Sequence, residues 1–227
     1  MGKLIVLEGT DGSGKSTQFG LLTQGLEAEG MAFRKLVFPQ YAEPSSALIR
    51  MYLNGEFGQH PGDVNAYAAT AFYAVDRYAS FQKVWRREYE AGGLILSDRY
   101  TTSNAVHQGS KLTGAEQRAY FQWLEEFEYG RLGLPRPDLV IYLDVPTDLT
   151  EMMLRKREQD THTQGDIHEQ DLAYLRLCRE TGQAVSFPAP GTAPCVRPRR
   201  SIRKLTDWFG YVWRSDGYGL YCVGQRL

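Results

Sequence analysis

The stretch Gly9 to Thr17, GTDGSGKST, constrains the fold more than any other feature, because it fits G-x-x-x-x-G-K-[ST] at every fixed position. It also stands where its chemistry needs it. Lys3 to Glu8 (KLIVLE) is a short apolar run of the kind that forms a strand buried on both faces, and from Lys15 apolar residues recur at helical spacing through Phe19, Leu22 and Leu26. A strand feeding a glycine turn and then a helix aims successive backbone N–H groups at an anion. Lys15 then reaches β and γ phosphates, and Ser16 offers a hydroxyl to Mg²⁺. A plain glycine-rich connector would explain the turn but not the Lys-Ser pair. Gly9, Thr10, Asp11, Gly12, Ser13, Gly14, Lys15, Ser16 and Thr17 are therefore the candidate phosphate-binding residues.

The remaining periodicity repeats the unit. Phe33 to Phe38 reads as a second strand, a long helix is expected from about Asn65 to Ala91 with Asp63 as its cap, and Leu94 to Ser97 reads as a third strand. Leu139 to Leu143 is a fourth. Asp148 and Glu151 have the spacing of a capping box for a helix that runs into RKREQD, and another helix is expected from about Ile167 to Glu180. Strands alternating with helices in this way argue for an α/β domain with a parallel sheet.

Nothing in the phosphate turn identifies what accepts the phosphoryl group. The chain lacks an N-K-x-D segment for a guanine base, which favours a kinase over a GTPase. SDRYTTSNAVHQG, Ser97 to Gly109, follows the third strand, and ligands in open α/β sheets gather at carboxyl strand ends, so Asp98 and Arg99 are well placed. In YAVDR, Tyr73 and Arg77 are four residues apart and share a helix face. A core position is the plainer alternative for Tyr73, the lesser of its two readings, and Phe72, about 100° away, reads as core.

The glycine turn with its internal acid, Phe38-Pro39 after the second strand, YAVDR, DRY with a following Ser and Gln, and GLPRPDLVIYLDV together resemble the thymidylate kinase family from about Lys3 to Thr181. The resemblance implies a P-loop NTPase-type parallel sheet flanked by helices on both faces, with a helical lid at about 155–166. It implies transfer of the γ-phosphoryl group of MgATP to dTMP, giving dTDP for dTTP synthesis, with ATP and Mg²⁺ as the bound cofactors and commonly a homodimer. By family position Asp11 holds the acceptor's 3′-hydroxyl, Tyr73 stacks on thymine, Arg77 contacts its polar edge, and Phe38 and Pro39 form a wall near the base. Arg99 and Arg50 are acceptor-phosphate candidates, Ser103 and Gln108 line the pocket, and Asp98 joins Ser16 at the metal. Some members carry arginine at Gly12. This chain does not, so Lys15, Asp98 and the lid arginines Arg155 and Arg157 are the expected catalytic set, the two arginines being assigned jointly because they point about 200° apart on a helix. Asp144 reads as structural, and His60, His107, His162 and His168 show no metal-ligand spacing. Two other readings remain open: a P-loop kinase for another nucleoside or monophosphate, and an ATP-binding regulatory module that transfers nothing.

The 26 basic and 27 acidic residues nearly cancel, which gives no sign of a nucleic-acid or membrane-surface binder, but they are unevenly spread. Residues 1–187 carry 19 basic against 25 acidic side chains, whereas the rest carries 7 against 2, with four of the ten prolines between Pro188 and Pro198. Residues 1–185 are thus expected to form the kinase core and 186–227 a divergent basic, aromatic segment with a helix from Ile202 to Trp213. Three scattered cysteines and the lack of an apolar stretch of about 18 residues fit a cytoplasmic protein.

Overall fold

In the computed structural model, residues 1–162, 165–186 and 220–223 are described. Strand β1 (Lys3–Gly9) lies at the centre, paired in parallel with β3 (Leu94–Asp98) in the register Leu4↔Ile95 to Leu7↔Asp98, and with β4 (Leu139–Leu143) in the register Ile5↔Leu139 to Gly9↔Leu143. Strand β2 (Arg34–Val37) pairs in parallel with β3. The order is β2-β3-β1-β4-β5, with β5 (Leu220–Val223) antiparallel to β4. No strand is expected there from the sequence, since four residues amid glycines carry too little pattern. The expected helix at 202–213 lies outside the described residues.

Alternation along β1 builds two cores. Leu4 and Val6 face a layer with Phe38, Phe81, Trp85, Ile95, Tyr100 and Val140. Ile5 and Leu7 face the opposite layer with Phe19, Leu22, Leu26, Leu96 and Ile141. Each such side chain contributes about 1.5–3 kcal/mol on burial, so both faces of the sheet need a helical cover. Helix α1 (Lys15–Ala28) covers the second face. The first is covered by a π turn at Phe81–Trp85 and by α4 (Arg86–Glu90), which continue from α3 (Ala66–Ser80). A short α2 (Ala47–Leu53) precedes them. The long helix is capped by Asn65, whose Oδ1 accepts from Ala68 N at 2.9 Å, while Asp63 closes the preceding turn by accepting from His60 N at 3.0 Å. The expectation of an Asp63 cap is corrected by two residues.

After β3 come α5 (Thr101–His107) and α6 (Gly114–Glu125), and after β4 come α7 (Thr147–Thr161) and α8 (Leu172–Ser186). The expected capping box of α7 does not form. Its N-cap is Pro146, without a side-chain cap, and Asp148 is exposed at 3.7 Å from Arg176. Asp144, at the end of β4, accepts from Arg179 Nε at 2.6 Å and Gln183 Nε2 at 2.9 Å, so it ties α8 to the sheet as its structural reading requires.

Candidate active site

Gly12 and Gly14 adopt φ values of +76° and +79°, the left-handed region that side chains resist, and this curls the turn onto the start of α1. Gly14 is the N-cap of α1, no side chain caps it, and the first turn carries no acid. The N–H groups of that turn therefore remain to bind an anion. Lys15 Nζ lies against the turn and donates to Thr10 O at 2.7 Å. Burial, with Arg99 nearby, lowers its pKa to about 8 against the opposing pull of Asp11, Glu8 and Asp98. Ser16, Thr17, Asp98 and Arg157 line the same cleft, which encloses about 500 Å³.

A second, inner cavity lies behind it. Its lining includes the expected Phe38, Pro39, Tyr73, Arg77, Ser103 and Gln108, and Asp11 and Arg99 border both spaces. Gln108 is 1% exposed, and its Oε1 has no partner among the described residues, so a buried acceptor awaits a donor at this wall. Arg99 has φ +66°, a conformation that costs a non-glycine residue on the order of 1–3 kcal/mol. The surrounding turn enforces it, with Arg99 N donating to Leu7 O at 2.9 Å. Its guanidinium reaches Asp11 in an ion pair, Ser103 Oγ at 3.3 Å and His107 Nε2 at 3.2 Å, with Glu8 Oε1 at 3.6 Å. Burial alone would raise the Asp11 pKa, but Arg99 and then Lys15 overcome it and hold the carboxyl well below the usual range.

A family model described as thymidylate kinase matches residues 7–190. The chain belongs to the thymidylate kinase family. It is 33% identical over 172 residues to the thymidylate kinase of Mycobacterium tuberculosis, spanning 74% of this chain and 78% of that one. To the human thymidylate kinase it is 31% identical over 144 residues, 63% of this chain and 61% of the other. The thymidylate kinase of Nitrosomonas eutropha is 26% identical over 227 residues, 96% of this chain and 98% of its own.

The two arginines expected to act from the lid are separated by the structure. Helix α7 is continuous through both. Arg157 faces the cleft and pairs with Glu169, whereas Arg155 is exposed, pairs with Glu151 one turn back and lines neither space. Arg50 lies outside both lining sets as well. Its Nη1 donates to Tyr41 O at 2.6 Å, Glu43 O at 3.2 Å and Ser46 Oγ at 2.5 Å, which stitches the loop before α2. Arg77 lines the inner cavity with its charge matched, since Nε and Nη2 donate to Glu128 at 2.7 and 2.5 Å.

Sequence reasoning passed over several wall residues: Tyr41, Asn104, His107, Asp166 and His168 at the inner cavity, and Glu169 at the cleft. Helical period applied to SNAVHQ would have found Asn104 and His107, which share a face with Ser103 and Gln108. His168 is anchored through Nε2 to Tyr52 Oη at 2.8 Å, and burial drops its pKa to about 3. Burial, with Asp11 and Glu169 nearby, raises Asp166 to about 7. Ligand atoms of Asp11, His107 and His168 lie within 4.8 Å of one another, yet the Arg99 guanidinium already bonds Asp11 and faces His107, so a cation there would meet a cation.

Proposed function

We propose that the protein transfers the γ-phosphoryl group of ATP to dTMP, giving dTDP and ADP. The observation that carries this reading is that the phosphate cleft and the inner cavity share one wall, Asp11, Phe38, Pro39, Tyr41, Arg99 and Asp166. A donor's terminal phosphate in the first space thereby meets an acceptor's phosphate in the second. An oxygen of the dTMP phosphate attacks the γ-phosphorus, the bond from that phosphorus to the β-bridging oxygen breaks, and ADP leaves. A loose phosphoryl-transfer transition state gains chiefly from alignment and positive charge. Lys15 and Arg157 supply charge from the turn and the lid, and Arg99 holds the acceptor phosphate. Tyr73 and Phe38 offer apolar faces to the base. Asp11, an acceptor-only group, releases Arg99 to the phosphate and takes the sugar hydroxyl.

Ser16 and Asp98, two oxygen donors lining one cleft, suit a hard cation and would hold Mg²⁺. The ion would neutralise donor phosphate charge when bound. Leu48 of α2 with Val75 and Tyr78 of α3 are exposed apolar side chains on neighbouring helices, which supports a homodimer joined there. Among the described residues no helix is long and apolar enough to cross a membrane. Cys178 is a buried free thiol, which supports a reducing compartment such as the cytoplasm. A coupled assay of ADP release tests the reading with dTMP, dUMP, dGMP and AMP. Preferential turnover of dTMP is expected; preference for AMP would overturn the acceptor assignment, and tight ATP binding without transfer to any of them would overturn the kinase reading.

A further inference from the structure

We propose that Glu128 is a positioning residue that neutralises the base end of the acceptor cavity, so that the acceptor's phosphate has one charged end to choose, at Arg99. This rests on the reading of the inner cavity as the acceptor site. Glu128 sits in a π turn, Glu126–Arg131, that follows α6, is wholly buried and does not itself line the cavity. Its two oxygens receive Arg77 Nε at 2.7 Å and Nη2 at 2.5 Å, Thr101 Oγ1 at 3.1 Å and Asn104 Nδ2 at 2.9 Å. Four donors fill the roughly four acceptor sites of a carboxylate. They come from α3 and α5, two walls of the cavity, so one side chain sets the relation between those walls.

Two consequences follow for the groups that do face the acceptor. The paired contact on Nε and Nη2 fixes the plane of the Arg77 guanidinium, and the nearly coincident carboxylate cancels its charge. Arg77 is left as a donor of fixed direction rather than an anion site. The Asn104 amide is also oriented, because Nδ2 meets the Glu128 carboxylate and the Thr70 carbonyl at 3.4 Å, both acceptors, and Oδ1 is left as the edge for the cavity. At the other end Arg99 pairs with Asp11, which on the proposed reading turns to the sugar hydroxyl and frees the guanidinium, with Lys15 beside it, for the phosphate where the cavity meets the phosphate cleft. A monophosphate entering with its base and phosphate exchanged thus gains nothing from Arg77 while Glu128 is charged.

The test is Glu128→Gln, which keeps the shape, removes the charge and leaves Arg77 as an uncompensated cation. The expected result is a rise of about tenfold or more in the KM for dTMP with kcat changed by less than about threefold, because ground-state placement is lost. Inorganic phosphate should stabilise the variant against heat, at a half-maximal concentration at least about fivefold below that for the parent protein. Glu128→Asp, which keeps the charge, should respond to phosphate as the parent does. A purely structural role would lower the melting temperature and disturb the KM values for ATP and dTMP alike, without a new phosphate response. A folded Glu128→Gln protein with parental dTMP KM and parental phosphate response overturns the proposal. Should that variant not fold, Arg77→Met combined with Glu128→Gln removes both charges, a change that buried pairs often tolerate. Arg77→Met alone should then show no phosphate response beyond the parent's, and a gain in either of these two proteins would overturn the proposal, since neither holds the cation. The phosphate measurement needs no turnover, so its outcome stands apart from whether dTMP is the acceptor.

Discussion

Lys15 is the residue at which burial and reaction meet most directly. Held near 8, its amine is only partly charged just above neutrality in the free protein, yet it must be charged to meet polyphosphate. kcat/KM for ATP reports groups of the free enzyme and should fall as pH rises through about 8, while kcat, read with phosphates bound, should hold to higher pH. Unfolding through this group would run the other way. A lysine whose folded pKa lies below its unfolded value of 10.5 penalises the charged state, so its contribution to stability rises from about pH 8 to 10.5. Lys15→Arg should remove the alkaline limb at a reduced rate, and a pH profile of initial rates between about pH 6.5 and 10 checks it. Lys15→Ala should cost at least about 100-fold in kcat, on the order of 3 kcal/mol of transition-state stabilisation. The lid arginines part company in the same assay. Arg157→Ala should lower kcat by about 10–100-fold with a small change in dTMP KM, and Arg155→Ala should stay within about twofold, because only Arg157 faces the cleft. Equal losses would mean that the lid turns Arg155 inward during the reaction.

At the scale of elements, what the sequence made legible and what it hid follow from the range of each signal. Strands β1, β3 and β4 are continuous apolar runs, and the phosphate turn carries its meaning in nine consecutive residues, so local reading finds them. Residues acting across distance have no such mark. Glu8 receives Ser103 Oγ at 2.8 Å from 95 residues away, and Glu128 receives Arg77 from 51 away, yet in sequence each is an ordinary glutamate. The α7 cap failed for a related reason: Asp148 and Glu151 have the spacing of a capping box, but the N-cap is Pro146, two residues earlier than a cap at Asp148. The absence of arginine at Gly12 gains a physical cause from α7. A Cβ there would lie 2.6 Å from Thr150 O and 2.9 Å from Leu154 Cγ, on a backbone with φ +76°. Even Gly12→Ala should therefore displace the lid helix, lower stability by about 1–3 kcal/mol and raise the KM for ATP more than that for dTMP. Thermal unfolding and both KM values decide this, and an alanine variant with parental ATP binding would show that α7 yields without consequence for the cleft.

For the whole molecule, the sheet divides the labour of support between its faces. The core beneath the π turn and α4 contains Phe38 and Tyr100, which also wall the inner cavity, and at its centre Trp85 packs on Tyr100 with ring centroids 6.3 Å apart. The core beneath α1 contains Phe19 and Leu22, whose helix presents its N-terminus to the phosphate cleft. Truncating either core removes a fully buried side chain: Trp85→Ala should cost about 3–5 kcal/mol and Leu22→Ala about 2–5. At about 2–4 °C per kcal/mol for a chain of this size, melting temperatures should fall by roughly 6–20 °C and 4–20 °C. The stability losses overlap, but the kinetic ones should not. Trp85→Ala loosens the support of Tyr100, so its dTMP KM should rise more than its ATP KM, and Leu22→Ala should show the reverse, measured well below both melting temperatures. Parallel rises in both constants for both variants would mean that the sheet passes disturbance on one face to the other, and that the two half-sites stand on one mechanical unit.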